Sequence, residues 1–193
     1  MNSEPAPSPA RPLRADARRN RERVLAAARE AFGSEGISVP LDEIARRAGV
    51  GAGTVHRHFP TKEALLEAIV VGNMTELTEE ARSRLEHPDP GAAFFGFFAL
   101  MVECGAGNRA LTGALTRAGT DVQSLVERPG QDLLAALAAL LVRAQQAGAV
   151  RGDVTAQHVK ALLIGVYAGS DWLGGETDAR RRLLAVVCDG LRP

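Results

Sequence analysis

Apolar residues in this chain return at the helical period almost everywhere, and nowhere at the alternating period of a strand. Val24, Leu25, Ala28, Ala31 and Phe32 share one face of an amphipathic helix, with Gly36 placed to end it. Leu41, Ile44, Ala45 and Ala48 form a shorter stripe, stopped by Gly49. A third short helix fits Ala52 to His58 and closes at Phe59-Pro60. Thr61 then stands as N-cap of a long helix carrying Leu65, Leu66 and Ile69 toward Leu85. Past the break at His87-Pro88-Asp89-Pro90-Gly91, the pattern predicts helices at about 91–104, 108–117, 121–127, 130–147, 155–172 and 178–190. No segment is enriched in β-branched residues at strand spacing, so the expected fold class is all-α.

Composition narrows the function classes. The chain has 193 residues, 46% of them hydrophobic and 24% charged, enough to bury a core. The longest apolar run, Leu133 to Val142, is far shorter than the roughly 18 residues a spanning helix needs. Two cysteines, Cys104 and Cys188, make no disulfide framework, and the first twelve residues hold no apolar export core, so a cytoplasmic setting is expected. Four prolines among those twelve residues predict a flexible leader over 1–15.

The net charge is zero but unevenly spread. Between Arg11 and Lys62 stand eleven basic and six acidic residues, a net +5, and the remainder carries −5. A basic first third suits contact with a polyanion, while solvated arginine-rich helix faces would give the same count.

Residues 41–60, LDEIARRAGVGAGTVHRHFP, have the layout of a helix-turn-helix. Ala45 lets two helices cross closely, Gly49 supplies the positive φ of the turn, and Ile44, Val50 and Val55 fill the wedge. Gly51, Ala52, Thr54, His56, Arg57 and His58 remain on the outer face of the second helix. Small residues at its front admit a groove floor, and Arg57 offers two donors to a guanine edge. Thr54 and His56 reach toward phosphates or bases, and Lys62 stands beside a helix start, ready for a phosphate. The same pattern occurs in helix pairs that never touch DNA. His56 and His58, two apart on a helix, point away from each other and make a poor metal pair.

Residues 24–36, VLAAAREAFGSEG, and 41–66, LDEIARRAGVGAGTVHRHFPTKEALL, resemble the N-terminal domain of tetracycline-repressor (TetR) family regulators in order and spacing. The likeness runs from about Arg18 to Thr78. It implies a DNA-binding domain over 18–78 and a helical effector-binding and dimerisation domain over 79–193. It further implies an Ω-shaped homodimer on a palindromic double-stranded operator, with Leu41, Gly51, Ala52, Thr54, His56, Arg57, His58 and Lys62 as candidate DNA contacts and Phe59 as core. The chain departs from the family pattern at three positions. Pro40 stands where a capping Thr is usual, Gly51 where a Ser is common, and His56 where Tyr is commoner; the last retains a donor and makes affinity open to pH.

In the second half, four of six phenylalanines crowd into positions 94–98. Phe94, Phe97, Phe98 and Met101 share a face, with Phe95 and Val102 on another, as in a helix that is broadly buried or lines a cavity. The expected wall of a ligand cavity is Phe94, Phe97, Phe98, Met101, Leu111, Leu115, Leu134, Leu137, Tyr167 and Trp172, although each also suits plain core. Charged candidates inside are few (Glu103, Arg117, His158 and Asp171), which favours an uncharged, fairly hydrophobic effector. Val159, Leu162, Leu163, Val166, Tyr167 and Ser170, then Leu183, Leu184, Val186, Val187 and Gly190, form stripes suited to a four-helix dimer interface or to packing within one chain. Arg151-Gly152-Asp153 reads as a loop before a helix.

Three functions compete. A repressor released from its operator by a small molecule accounts for both halves. A helical adaptor whose basic module binds an acidic partner accounts for the charge. An enzyme lacks a serine elbow, a phosphate loop, a metal cluster or paired carboxylates; Cys104 with His158 is the sole nucleophile–base pairing conceivable, and no cofactor is called for.

Overall fold

The computed structural model describes residues 10–174 and 177–193. Every regular element among them is helical: α1 (Ala10–Glu35), α2 (Leu41–Ala48), α3 (Ala52–His58), α4 (Lys62–Ser83), a 3₁₀ turn (Arg84–Glu86), α5 (Pro90–Arg117), α6 (Val122–Gln146), α7 (Ala156–Trp172) and α8 (Thr177–Leu191). The chain forms two compact units that divide inside α4, at Ile69/Val70 rather than at the 78/79 boundary expected from the sequence.

Two expectations change. The leader was expected to run to residue 15, but α1 already begins at Ala10, because Pro12 lies in its first turn, where no backbone N–H is required. The remainder of the expected leader, residues 1–9, lies outside the described residues. The four helices expected over 91–147 are two. α5 bends by 42° between its stretches Pro90–Gly105 and Gly107–Arg117 instead of stopping, and α6 continues through Pro129. A proline removes one hydrogen bond from α6, while Asp121 caps its start and Leu137, Leu140 and Leu141 anchor its far half in the core.

The first unit closes around Val24, Ala28 and Ala31 of α1, Ile44 of α2, Val55 of α3 and Leu65 of α4, each fully buried. In the second unit Phe94, Phe97 and Phe98 have no exposed surface and pack with Leu137, Leu140, Val159, Val166 and Leu191. Asp89 caps α5 through Ala92 N–H at 3.0 Å, with Pro90 as its first residue, so the proline-rich break also starts a helix. Among the described residues no single helix is long and apolar enough to cross a membrane.

Candidate nucleic-acid interface and cavity

The turn between α2 and α3 follows from Gly49. Its φ of 61° is left-handed, and its N–H and that of Val50 return to the carbonyls of Arg46 and Ala45, each at 3.1 Å. Arg23 of α1 donates from Nη2 to the Gly49 carbonyl at 3.2 Å, which ties the turn to the first helix. Neither short helix has a side-chain cap: Pro40 precedes α2 and Gly51 precedes α3, both in extended conformation. Val55 and Phe59 are buried and orient α3, with Arg21 5.3 Å above the Phe59 ring.

That anchoring leaves Gly51, Ala52, His56 and Arg57 exposed, while Leu41, Thr54, His58 and Lys62 are half-buried. His56 Nε2 lies 3.8 Å from Asp42 at the start of α2. The Lys62 ammonium sits 5.7 Å above the Phe32 ring, beside the start of α4, where Thr61 accepts from Ala64 N–H at 3.1 Å. Behind this face, Glu43 accepts from Arg46 and Arg47, which holds its carboxyl well below the usual 4.5, at about 2. Arg47 also reaches Glu35 across the α1–α2 connection and lowers that carboxyl.

The second unit contains a cavity of about 250 Å³. Val70, Met74 and Leu77 of α4, Met101 of α5, Leu133 of α6 and Leu163 of α7 make its apolar wall. Asn108, Arg109, Thr112 and Tyr167 bring polar atoms. Tyr167 enters the crook of bent α5: its hydroxyl donates to the Met101 carbonyl, and a Cβ on Gly105 would overlap its ring. Burial pushes the phenol up to about 12. Arg109 stacks 5.1 Å from that ring and binds Asp171 of α7 end-on, through Nη1 and Nη2, each at 2.7 Å. A separate, more open groove between α7 and α8 is lined by His158, Ala161, Leu162, Gly165, Leu183 and Val187.

Residues 24–69 match the family model of bacterial regulatory proteins, tetR family, and residues 89–193 match the model of the transcriptional regulator SbtR-like, C-terminal domain. The chain belongs to the TetR family. A crystal structure of a TetR transcription regulatory protein from Mycobacterium vanbaalenii is 44% identical, with 94% of this chain and 99% of that one aligned at a TM-score of 0.77. TetR regulator SCO0520 from Streptomyces coelicolor is 33% identical over 90% of this chain and 98% of its own, with a TM-score of 0.72. The HTH-type transcriptional regulator UidR of Escherichia coli (strain K12) is 27% identical over 168 residues, 81% of this chain and 82% of that protein. This TetR-family chain is therefore a DNA-binding transcriptional regulator and not an enzyme. Its cysteine and histidine agree with that. Burial and the neighbouring Glu103 and Glu76 raise the Cys104 thiol, away from the nucleophilic form, and His158 serves in the capping box of α7 with Thr155.

The regulator's cavity wall differs from the one expected. Only Met101 and Tyr167 of the ten expected residues line it. Phe94, Phe97, Phe98, Leu111, Leu115 and Leu137 are buried in packed core, because the phenylalanine face of α5 turns toward α6 and the other core helices rather than toward open space. Leu134 is half-buried against the same cluster, and Trp172, at 86% exposure, stands in solvent at the end of α7. Of the charged candidates, Glu103, Arg117 and His158 are exposed, and Asp171 enters only through its pair with Arg109. The residues missed on α5 had a signal. Met101, Gly105, Asn108, Arg109 and Thr112 follow i, i+4, i+7, i+8, i+11, one helical face, which disappears when the helix is ended at residue 104.

Proposed function

We propose that this TetR-family regulator represses by holding a palindromic operator as a homodimer and lets go when a small, mainly apolar effector enters the cavity of the second unit. The observation that carries this reading is α4. Its first turn begins with the half-buried Lys62 of the helix-turn-helix unit, and its later turns supply Val70, Met74 and Leu77 to the cavity wall. A ligand that moves those turns acts on a helix belonging to both units. A twofold reader must meet two half-sites about 34–36 Å apart together, so a small displacement suffices to weaken binding.

Thr54, His56, Arg57 and His58 are the proposed readers of the major groove, with Leu41, Gly51 and Ala52 approaching the backbone and Lys62 meeting a phosphate. The exposed Arg57 is the strongest candidate for bidentate contact with guanine. Support for the homodimer comes from the outer faces of α7 and α8, where Leu162, Ile164 and Val186 are 37%, 55% and 71% exposed beside the apolar groove.

Footprinting of the full chain on genomic DNA, followed by fluorescence anisotropy on the protected palindrome, tests the reading. Binding is expected to prefer the palindrome to scrambled duplex by about 10³-fold or more and to weaken steeply with added salt. A monomer with no sequence preference would refute it.

A further inference from the structure

Tyr167 is held from three directions. Its ring fits where Gly105 has no side chain, and a Cβ at that position would overlap it. Its hydroxyl donates to the Met101 carbonyl, one turn earlier on α5. The Arg109 guanidinium lies 5.1 Å from the ring centre and is itself tied to Asp171, one turn beyond Tyr167 on α7. These contacts oppose any swing of the phenol out of its place. Met101, Gly105 and Arg109, which hold it, are all wall residues of the cavity, as is Tyr167 itself. The space filled by the ring is therefore bounded by the same residues that bound the open volume, and removing the ring would join the two.

We propose that Tyr167 sets the size limit of the cavity, so that the effector is a compact, neutral molecule of one ring with a short apolar substituent. The proposal rests on the effector reading of the cavity and adds the class of its occupant. Volume selects a single ring. An apolar cavity of about 150 Å³ takes up benzene, so a volume of about 250 Å³ leaves room for a few further carbons but not for a second ring with its linker. The walls select an apolar, uncharged body. Val70, Leu77, Leu133 and Leu163 present only hydrocarbon. The hydroxyls of Tyr167 and Thr112 are committed to the carbonyls of Met101 and Arg109, and Asn108 Oδ1 accepts from Asn73 at 2.7 Å. Asp171 already balances the charge of Arg109, so a charge on the ligand would stand unmatched among apolar side chains.

Calorimetric titration of the full chain with ethylbenzene and 1,2-diphenylethane tests the size limit. Burial of apolar area alone would favour the larger probe. The wild-type chain is expected to reverse that order and to bind ethylbenzene about tenfold or more tightly, because the second ring must displace the held phenol or overpack the cavity. Tyr167→Ala is expected to restore the order of apolar area, with 1,2-diphenylethane the tighter ligand by about tenfold. Tyr167→Leu, which keeps more apolar mass on α7 and serves if the alanine variant does not fold, is expected to shift the preference in the same direction. The proposal is overturned by a wild-type chain that follows apolar area or binds neither probe, or by a folded variant that keeps the wild-type order. Operator anisotropy with the same probes separates the two ideas. A Tyr167-dependent size limit that leaves DNA affinity unmoved refutes the effector reading alone, whereas operator release from the wild-type chain by 1,2-diphenylethane as readily as by ethylbenzene refutes the size limit alone.

Discussion

At Arg57 the side chain stands exposed on α3 while its neighbour Val55 is fully buried, so the backbone that carries the guanidinium is fixed and the side chain projects into solvent. Arg57→Ala is expected to weaken operator binding by about 1–3 kcal/mol and to relax preference at one base pair of each half-site, read by anisotropy on single-base variants. Glu43 behaves differently. Arg46 and Arg47 hold its carboxyl at about 2 in the folded chain against an ordinary 4.5, so the unfolded chain binds the proton more readily. The stabilisation is therefore complete above about 4.5 and disappears as the pH falls toward about 2. Thermal melts of Glu43→Gln are expected to fall below wild type near neutral pH and to converge with it at the acid end of that window. A gap that stays constant with pH would show that the ion pairs do not hold α2.

Among the elements, α5 shows how a helix divides its labour by face and by length. Its first half gives Phe94, Phe97 and Phe98 to the core; its second half, beyond the bend, gives Asn108, Arg109 and Thr112 to the cavity. The helical period was legible in the sequence, but the phase of the second half was not. Where a break was expected between residues 104 and 108, the helix bends between Gly105 and Gly107, and the Tyr167 ring fits against Gly105. α7 and α8 expose what α5 buries. Charges placed there by Ile164→Glu together with Val186→Glu are expected to convert a dimer to monomer in sedimentation or light scattering and to reduce operator affinity, while leaving the helical circular dichroism unchanged. A dimer that survives both charges would place the interface elsewhere.

On the scale of the whole molecule, α4 is the one helix in which the two compact units divide. Leu163→Phe places a ring in the cavity from α7 and imitates a permanent occupant. Its expected outcome is a lower operator affinity than wild type, read by fluorescence anisotropy. An affinity equal to wild type, with the cavity filled, would uncouple the second unit from DNA.

Local chemistry explains which features were readable beforehand. A glycine with φ of 61°, an alanine at a helix crossing and an arginine beyond a buried valine each announce themselves within a few residues, so the all-α class, the helix-turn-helix and its exposed face could be derived from the amino-acid order alone. Packing settled the rest. Whether Phe97 or Arg109 meets empty space depends on where α4, α6 and α7 lie, and that is a balance of long-range contacts which no local period encodes. The chain's order thus determined what kind of regulator this is. The bend between Gly105 and Gly107 and the phenylalanines turned into the core were decided only when distant helices came together, because burial is a property of the assembled fold.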